Sequence, residues 1–250
     1  MKFGKLAPRT TPHTWRSMAR LTAAFDPLGK PPDASFDYPG ALTAPLGMYL
    51  NDRLGCCVCS DTAHTTMLRT ANTSATTIIP TDDDVLKLYE AVGGYDPSDP
   101  GTDGGCVESD MEQYLINTGF LGHKLDATAA VNPHNIDHVK WTVQLFGSCR
   151  IGFQVPAFCM DQFNNGKPWD VTASGDQSIE GGHDVPIVGY SMNTFTVITW
   201  GKYQKMTRAF FEQYADEAHA ELAYDWIREQ GTAPSGFDLN TLAADMAEVA

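Results

Sequence analysis

Residues Tyr49–His64 read YLNDRLGCCVCSDTAH, and this stretch contains three of the six cysteines in the chain. Downstream of Cys57, small or apolar residues recur every four positions, at Cys59, Ala63, Met67 and Ala71. This spacing predicts one face of an α-helix that begins close to Cys57. A thiol in the first turn of a helix lies near unpaired N–H groups and the positive end of the helix dipole, and both lower its pKa. Cys57 is therefore the candidate nucleophile.

A cysteine nucleophile needs a base, and His183 is the histidine in the most suitable setting. It follows Gly181-Gly182 and opens the run HDVPIVGY, which predicts a strand with the imidazole at a sheet edge. Asn51, six residues before Cys57, offers a side-chain amide. That amide can join the Cys57 backbone N–H in stabilising an oxyanion. The sequence therefore predicts acyl transfer by Cys57, with His183 as base and Asn51 as an oxyanion donor.

The composition argues against several other classes of function. The 250 residues carry a formal charge of −14 at pH 7 and contain no cluster of Lys and Arg. We therefore expect binding neither to nucleic acid nor to anionic membranes. No apolar run is long enough to span a bilayer, and the N-terminus does not have the pattern of a secretory signal. We expect cytoplasmic synthesis, free thiols and no cofactor.

Residues 1–48 are rich in proline and predict an extended N-terminal arm, with a short amphipathic piece around Trp15–Phe25. The simplest interpretation is an arm that lies along the surface of the domain. The alternative is a propeptide, or an arm that grips a protein partner.

The main domain is predicted at residues 49–230, with helices over 49–146 and the sheet over 147–230. Within the sheet part, Val185–Tyr190 and Thr194–Trp200 predict a hairpin. A final helix is predicted to include Phe211, Ala215, Ala218, Leu222 and Trp226. Residues 231–250 are predicted to form a C-terminal tail.

These motifs resemble those of papain-like cysteine peptidases. In that family a glutamine stands six residues before the nucleophile and a glycine two before it, and here Asn51 and Gly55 hold those positions. The run HDVPIVGY is similar to the family's histidine strand, and Trp200-Gly201 to its Trp-Gly pair. The resemblance implies an α+β fold, in which a helical lobe with the nucleophile helix packs against a twisted antiparallel sheet carrying the histidine. It also implies that Gly104, Gly105 and Trp200 line the substrate.

Residues 51–57 also resemble a signature, Asn-Asp-x-x-Gly-Asp-Cys, of a branch of this fold found in bacterial and bacteriophage genomes. Cys56 replaces the aspartate of that signature. Members of the branch carry a proline-rich leader, as this chain does. This resemblance implies the same fold and suggests a component of a phage particle, in which the arm grips a partner during virion assembly.

The family's orienting asparagine is replaced by Ile198, which cannot hydrogen-bond an imidazole. Thr199 and Thr196 are the alternatives, but alternation along the strand puts Thr199 on the face opposite Trp200. The sequence therefore favours a His183 without an orienting side chain. The first hypothesis is a peptidase or amidase that cleaves a peptide or amide substrate through an acyl-enzyme. The second is a catalytically weak or inactive structural protein with the same fold.

The third hypothesis is a metal- or redox-binding module, and it rests on the crowding of the cysteines. Its ligands would be Cys56, Cys57, Cys59 and either His64 or Cys106. Cys59 is also a rival nucleophile, although that choice would put Arg53 at the oxyanion position. A further alternative is that Cys56, Cys57 and Cys59 only pack in the core.

Overall fold

A computed structural model describes residues 1–31, 35–38, 42–73, 76–224, 226 and 238. The predicted C-terminal tail, residues 231–250, lies outside these residues except for Asp238. In this part of the chain, no helix has both the length and the apolar character needed to cross a bilayer.

Seven α-helices occur in the described residues, and most begin at a side-chain cap. Thr11 and Thr81 form capping boxes, and Asn135 and Thr207 accept from backbone N–H groups of the first turn. The helices are α1 (Pro12–Phe25), α2 (Cys57–Thr73), α3 (Asp82–Gly93), α4 (Glu108–Asn117), α5 (Ile136–Phe146), α6 (Phe158–Asn164) and α7 (Arg208–Tyr214).

The strands of the described residues form one antiparallel sheet in the order β2-β7-β3-β4-β5-β6, with β1 paired to β4. They are β1 (Phe36–Asp37), β2 (Leu125–Ala130), β3 (Cys149–Pro156), β4 (Ile179–Tyr190), β5 (Thr194–Thr199), β6 (Lys202–Thr207) and β7 (Ala215–Ala223). The fold is therefore α+β, with a sheet that draws its strands mainly from the second half of the chain.

Helix α2 is buried along most of its length and packs against β4 and β5. Its many threonines are accommodated because their hydroxyls donate to carbonyls one turn earlier. Examples are Thr62 to Val58 at 3.0 Å and Thr66 to Thr62 at 2.8 Å. A helix with a weak apolar stripe can therefore lie in the core without unpaired hydroxyls.

A buried ion cluster centred on Arg150 ties α2 to the sheet. The Arg150 guanidinium lies 2.7 Å from Asp184 Oδ2 and 2.8 Å from Glu221 Oε1. It also donates to Thr62 Oγ1 at 3.0 Å and to the Val58 carbonyl at 3.3 Å. Val58 follows the candidate nucleophile and Asp184 follows the candidate base. The cluster therefore fixes the positions of the two site-bearing elements relative to each other.

Three predictions about elements differ from the structure. The predicted final helix is split, because α7 ends at Tyr214 and Ala215–Ala223 is strand β7. Strand β2 lies within the part predicted to be helical. The amphipathic piece expected around Trp15–Phe25 belongs to a longer helix, α1. Pairing of β7 with both β2 and β3 outweighs the high helix propensity of alanine and glutamate in β7.

Candidate active site

Cys57 is the first residue of α2, and it is 1% exposed. Burial, together with the negative charge of Asp184, raises the pKa of the Cys57 thiol well above its usual range. Contacts with the backbones of Asp184 and Gly4 lower it only in part. The expectation of a thiol pKa lowered by the helix start is wrong for this structure, because desolvation by burial is the largest influence on the thiol. The thiol is therefore protonated at neutral pH.

His183 lies in β4 and is also buried. Its Nε2 atom lies 2.8 Å from Thr199 Oγ1, whereas Nδ1 has no hydrogen-bond partner among the described residues. The indole of Trp200 stacks on the imidazole, with ring centroids 4.6 Å apart. Burial lowers the pKa of His183 to about 3, so the ring is neutral at neutral pH. Nδ1 is the ring nitrogen left for a reaction partner.

Thr199 contradicts the prediction that His183 lacks an orienting side chain. Thr199 pairs with Lys202 at the end of the β5–β6 hairpin, so Trp200 and Gly201 are its two turn residues. Both have positive φ, 44° and 74°, as in the tight turns that suit hairpins. Strand alternation therefore does not extend to Trp200, and Thr199 and Trp200 both contact His183. Ile198 is buried in the core.

The two candidate residues lie against the same segment of the chain, residues 2–6. The Cys57 thiol interacts with the backbones of Gly4 and Asp184, the residue that follows His183. The Phe3 ring meets the imidazole edge to face at 6.0 Å. The fold therefore brings the start of α2 and the middle of β4 to one cleft.

The cleft holds residues 2–6 by backbone hydrogen bonds, with isolated β-bridges from Lys5 to Cys106 and to Gly182. The Lys2 N–H donates to the Asn51 carbonyl at 3.3 Å, and the Lys5 N–H donates to the Gly182 carbonyl at 3.1 Å. Cys106 pairs on the other side: its N–H donates to the Gly4 carbonyl at 2.8 Å, and its carbonyl accepts from Leu6 N–H at 2.9 Å. The chain's own N-terminal segment therefore covers Cys57.

Glycines make this close approach of two backbones feasible. A Cβ atom at Gly4 would lie 1.7 Å from the Gly55 carbonyl oxygen, and one at Gly105 would lie 2.1 Å from the Gly4 carbonyl oxygen. A Cβ at Gly182 would lie 2.5 Å from the Lys5 carbonyl oxygen. The cleft is thus shaped for a peptide backbone. Gly104 is different, because a Cβ there would meet only the Thr102 carbonyl, at 3.8 Å.

Asn51 is buried next to the same segment. Its Nδ2 donates to the Lys2 carbonyl at 3.3 Å and to the Leu54 carbonyl at 3.2 Å. Tyr49 and Leu50, just before it, both have positive φ, 52° and 64°, which is uncommon for such residues. The Asn51 amide therefore meets a peptide carbonyl in the cleft, and a locally strained turn sets its direction.

Sequence patterns offered Thr199 as a partner of His183 but placed it on the wrong face, and they missed the backbone of Cys106 and the segment 2–6. Cys106 and residues 2–6 act mainly through main-chain groups, which leave no signature in the sequence. Gly4 is the one clue, because a glycine is required where two backbones touch.

The cysteines do not assemble the predicted metal site. Cys56 Sγ lies 3.3 Å from the Tyr49 carbonyl, Cys59 Sγ lies 4.0 Å from Cys106 Sγ, and His64 Nε2 lies 3.0 Å from the Gly47 carbonyl. Three other residues, Glu108, Glu217 and His219, bring potential metal-ligand atoms within 4.8 Å of one another in the described part of the chain.

No protein-family model and no curated protein sequence matches the chain. Solved structures do match. Xylellain, a cysteine protease from Xylella fastidiosa, has 18% identity and a TM-score of 0.63 over 88% of this chain and 95% of that chain. Procathepsin B S9 from Trypanosoma congolense has 13% identity and a TM-score of 0.56, covering 88% and 86%. The cysteine protease CMS1MS2 from Carica candamarcensis has 14% identity and a TM-score of 0.54, covering 76% and 98%.

These similarities show that the fold of this chain is papain-like. A helical part carrying the candidate nucleophile packs against an antiparallel sheet carrying the candidate base, as expected from the motifs around Cys57 and His183.

Proposed function

We propose that the protein is a thiol hydrolase of peptide or amide bonds, with Cys57 as nucleophile and His183 as base. The observation that carries the proposal is the extended segment 2–6, which crosses Cys57 and is held by backbone hydrogen bonds on both sides. A cleft that binds an extended backbone beside a thiol and an imidazole suits a peptide substrate. The cysteine proteases of similar fold support the same reaction class.

The reaction needs only groups of this site and water. His183 Nδ1 takes the proton of the Cys57 thiol, and the sulfur bonds to the substrate carbonyl carbon while the carbonyl π pair moves onto oxygen. The C–N bond then breaks, and the leaving amine takes the proton from Nδ1. Water attacks the thioester and gives a proton to Nδ1, and the C–S bond breaks to release the carboxyl product. The proton on Nδ1 restores the thiol.

Two donors fit the developing oxyanion. The Cys57 N–H stands at the start of α2, where the first N–H groups lack helical partners. The Asn51 amide already donates to a peptide carbonyl in the cleft. Thr199 holds Nε2 of His183 and so directs Nδ1 to the proton-transfer role.

In this form the chain blocks its own site. Segment 2–6 buries Cys57, and the thiol and the imidazole are both neutral because burial raises one pKa and lowers the other. We propose that hydrolysis requires this segment to leave the cleft, which is the propeptide interpretation of the arm. The bacteriophage origin and a partner held by the arm rest on sequence resemblance alone.

The test uses the full chain with Gly4→Val, because a side chain at position 4 collides with the Gly55 carbonyl and expels the segment. Iodoacetamide labelling near neutral pH, read by mass spectrometry, should be at least tenfold faster at Cys57 than in the unaltered chain. Labelling of Cys149, which is buried in β3, should not change. The matched control is Ala7→Val, since residue 7 is exposed and lies beyond the segment.

A structural protein without turnover is the rival. It predicts slow and equal labelling of Cys57 and Cys149 in folded Gly4→Val protein. Circular dichroism spectra and thermal transitions matching those of the unaltered chain establish that the variant is folded. The His183→Ala change in the Gly4→Val chain should return labelling at Cys57 to the slow rate.

A further inference from the structure

A buried acidic chamber lies beside the candidate site, beneath segment 2–6. Its walls are Glu108 at the start of α4 and Asp216, Glu217 and His219 on β7, and Gly152 of β3 borders it. We call these five residues the acidic chamber. None of them has a role in the proposed hydrolysis.

The side chain of Lys5 fills this chamber. Its Nζ atom lies 2.6 Å from Asp216 Oδ1 and 2.8 Å from Glu217 Oε1, and the side chain has no exposed surface. Burial alone lowers the pKa of Lys5. The negative charges of Glu108 and Glu217 and the hydrogen bonds to Asp216 and Glu217 outweigh burial, so the net pKa is raised. The chamber thus holds a desolvated ammonium ion.

The shape of the chamber suits a long aliphatic stem. A Cβ atom at Gly152 would lie 2.0 Å from Lys5 Cε and 2.5 Å from Glu108 Oε1. Only glycine leaves room for the methylenes at this point, and the Glu108 carboxyl borders the same space.

Glu108 supplies a second, independent sign of a cation site. Its side chain is fully buried, and neither carboxyl oxygen has a hydrogen-bond partner among the described residues. Burial and the negative charge of Glu217 raise the pKa of Glu108 well above its usual range, and the positive charges of His219 and Lys5 lower it only in part. Without Lys5, the cations left near the chamber's three carboxyls would be His219, which also pairs with Glu112, and Arg150. A cation in the chamber would relieve this excess of buried negative charge.

We propose that the acidic chamber is a specificity subsite that accepts a basic side chain of the peptide bound in the cleft. This inference rests on the proposed function, because substrate would use the cleft that segment 2–6 now occupies. Lys5 is then the chain's own occupant of the subsite. A neutral side chain would leave buried carboxylates uncompensated, and an acidic one would add repulsion.

The experiment measures binding, so its result does not depend on turnover. The full chain with Gly4→Val is titrated with a fluorescein-labelled peptide of sequence MKFGKL and with versions carrying norleucine at position 5 or at position 2. Norleucine at position 5 should weaken binding at least tenfold. Norleucine at position 2 should weaken it less than threefold, because the Lys2 side chain, although it pairs with Asp103, is 53% exposed, and solvent screens such a pair.

Glu217→Gln in the same protein should reduce the preference for lysine over norleucine at position 5 to less than threefold. Asp110→Asn is the matched control, because Asp110 is an exposed carboxylate that pairs with Arg9, which the peptide lacks. It should leave the preference unchanged. Equal affinities for lysine and norleucine at position 5, or no binding of either peptide, would overturn the subsite.

The two proposals fail in distinguishable ways. Equal peptide affinities together with fast labelling of Cys57 remove the subsite and leave the hydrolase. A strong preference for lysine together with an unreactive Cys57 removes the hydrolase and leaves a binding cleft.

If Gly4→Val does not fold, Lys5→Met and Lys2→Met in the full chain replace it. Lys5→Met should speed labelling of Cys57 at least tenfold more than Lys2→Met does, and equal rates would overturn the subsite.

Discussion

Thr199 Oγ1 lies 2.8 Å from Nε2 of His183. This hydrogen bond orients the imidazole although Ile198 stands where the resemblance to papain-like peptidases implies an asparagine. Nε2 is therefore engaged, and Nδ1 is the ring nitrogen without a hydrogen-bond partner among the described residues. The candidate base therefore has an orienting partner supplied by the hairpin end.

Thr199→Val removes the hydroxyl and keeps the shape of the side chain. In the Gly4→Val chain we expect the labelling rate of Cys57 to fall roughly tenfold or more, because the imidazole loses its fixed orientation. Stability should fall by about 1 kcal/mol, measured by urea unfolding. Thr199→Ser keeps the hydroxyl and should retain the rate. Equal rates for the valine and serine variants would show that the hydrogen bond does not orient the base.

Arg150→Met should be strongly destabilising. It leaves Asp184 as a buried carboxylate without its cation and Glu221 with Arg69 as its one remaining cation, and breaking such a pair costs about 3–5 kcal/mol. The free energy of unfolding in urea is the measurement. Arg208→Met is the control, because Arg208 pairs with Glu212 on the surface and its loss should cost about 1 kcal/mol or less. Similar losses for the two variants would mean that the Arg150 cluster does not hold α2 to β4.

Glu221 gives the fold a predictable sensitivity to acid. Burial raises the pKa of Glu221, but Arg150 and Arg69 outweigh it and lower the pKa to about 2. A carboxyl with a lowered folded pKa contributes stability above its unfolded pKa, near 4.5, and loses it as the pH falls towards 2. Glu221→Gln should therefore flatten the fall of stability over that range. The exposed Glu212→Gln should leave the slope unchanged, and an unaltered slope in Glu221→Gln would contradict the assignment.

Trp200→Ala should raise the pKa of His183. Burial lowers that pKa to about 3, and the stacked indole covers one face of the ring. The pKa of His183 is lower in the folded than in the unfolded protein, so protonation favours the unfolded state. The free energy of unfolding therefore falls as the pH drops from about 6.5 towards 3. NMR titration of the imidazole measures the change. Tyr203→Ala, at an exposed position on β6, should leave the pKa of His183 where it is.

Local sequence patterns predicted the elements that carry the candidate site. The four-residue spacing after Cys57 marks α2, and the run from His183 to Tyr190 lies in β4, so both predictions agree with the structure. That α2 and β4 lie side by side depends on long-range packing. Local patterns do not predict it, and the resemblance to papain-like peptidases does.

Three other features could not be read from the chain. Thr199 reaches His183 because Trp200 belongs to a tight turn, and turn residues do not follow strand alternation. The acidic chamber joins Glu108, Gly152 and Glu217 from separate elements. Segment 2–6 is held in the cleft by backbone hydrogen bonds, and the glycine at position 4 is the sign of that close approach in the sequence.

The most direct test of the central claim is acyl transfer to the Cys57 sulfur. Full chain carrying Gly4→Val is mixed with a peptide p-nitrophenyl ester, quenched in acid within seconds, and analysed by mass spectrometry of the intact protein and its fragments. The account predicts one acyl group on Cys57, and none in the same chain with His183→Ala. Acylation of other cysteines to the same extent, or acylation of Cys57 that does not depend on His183, would contradict it.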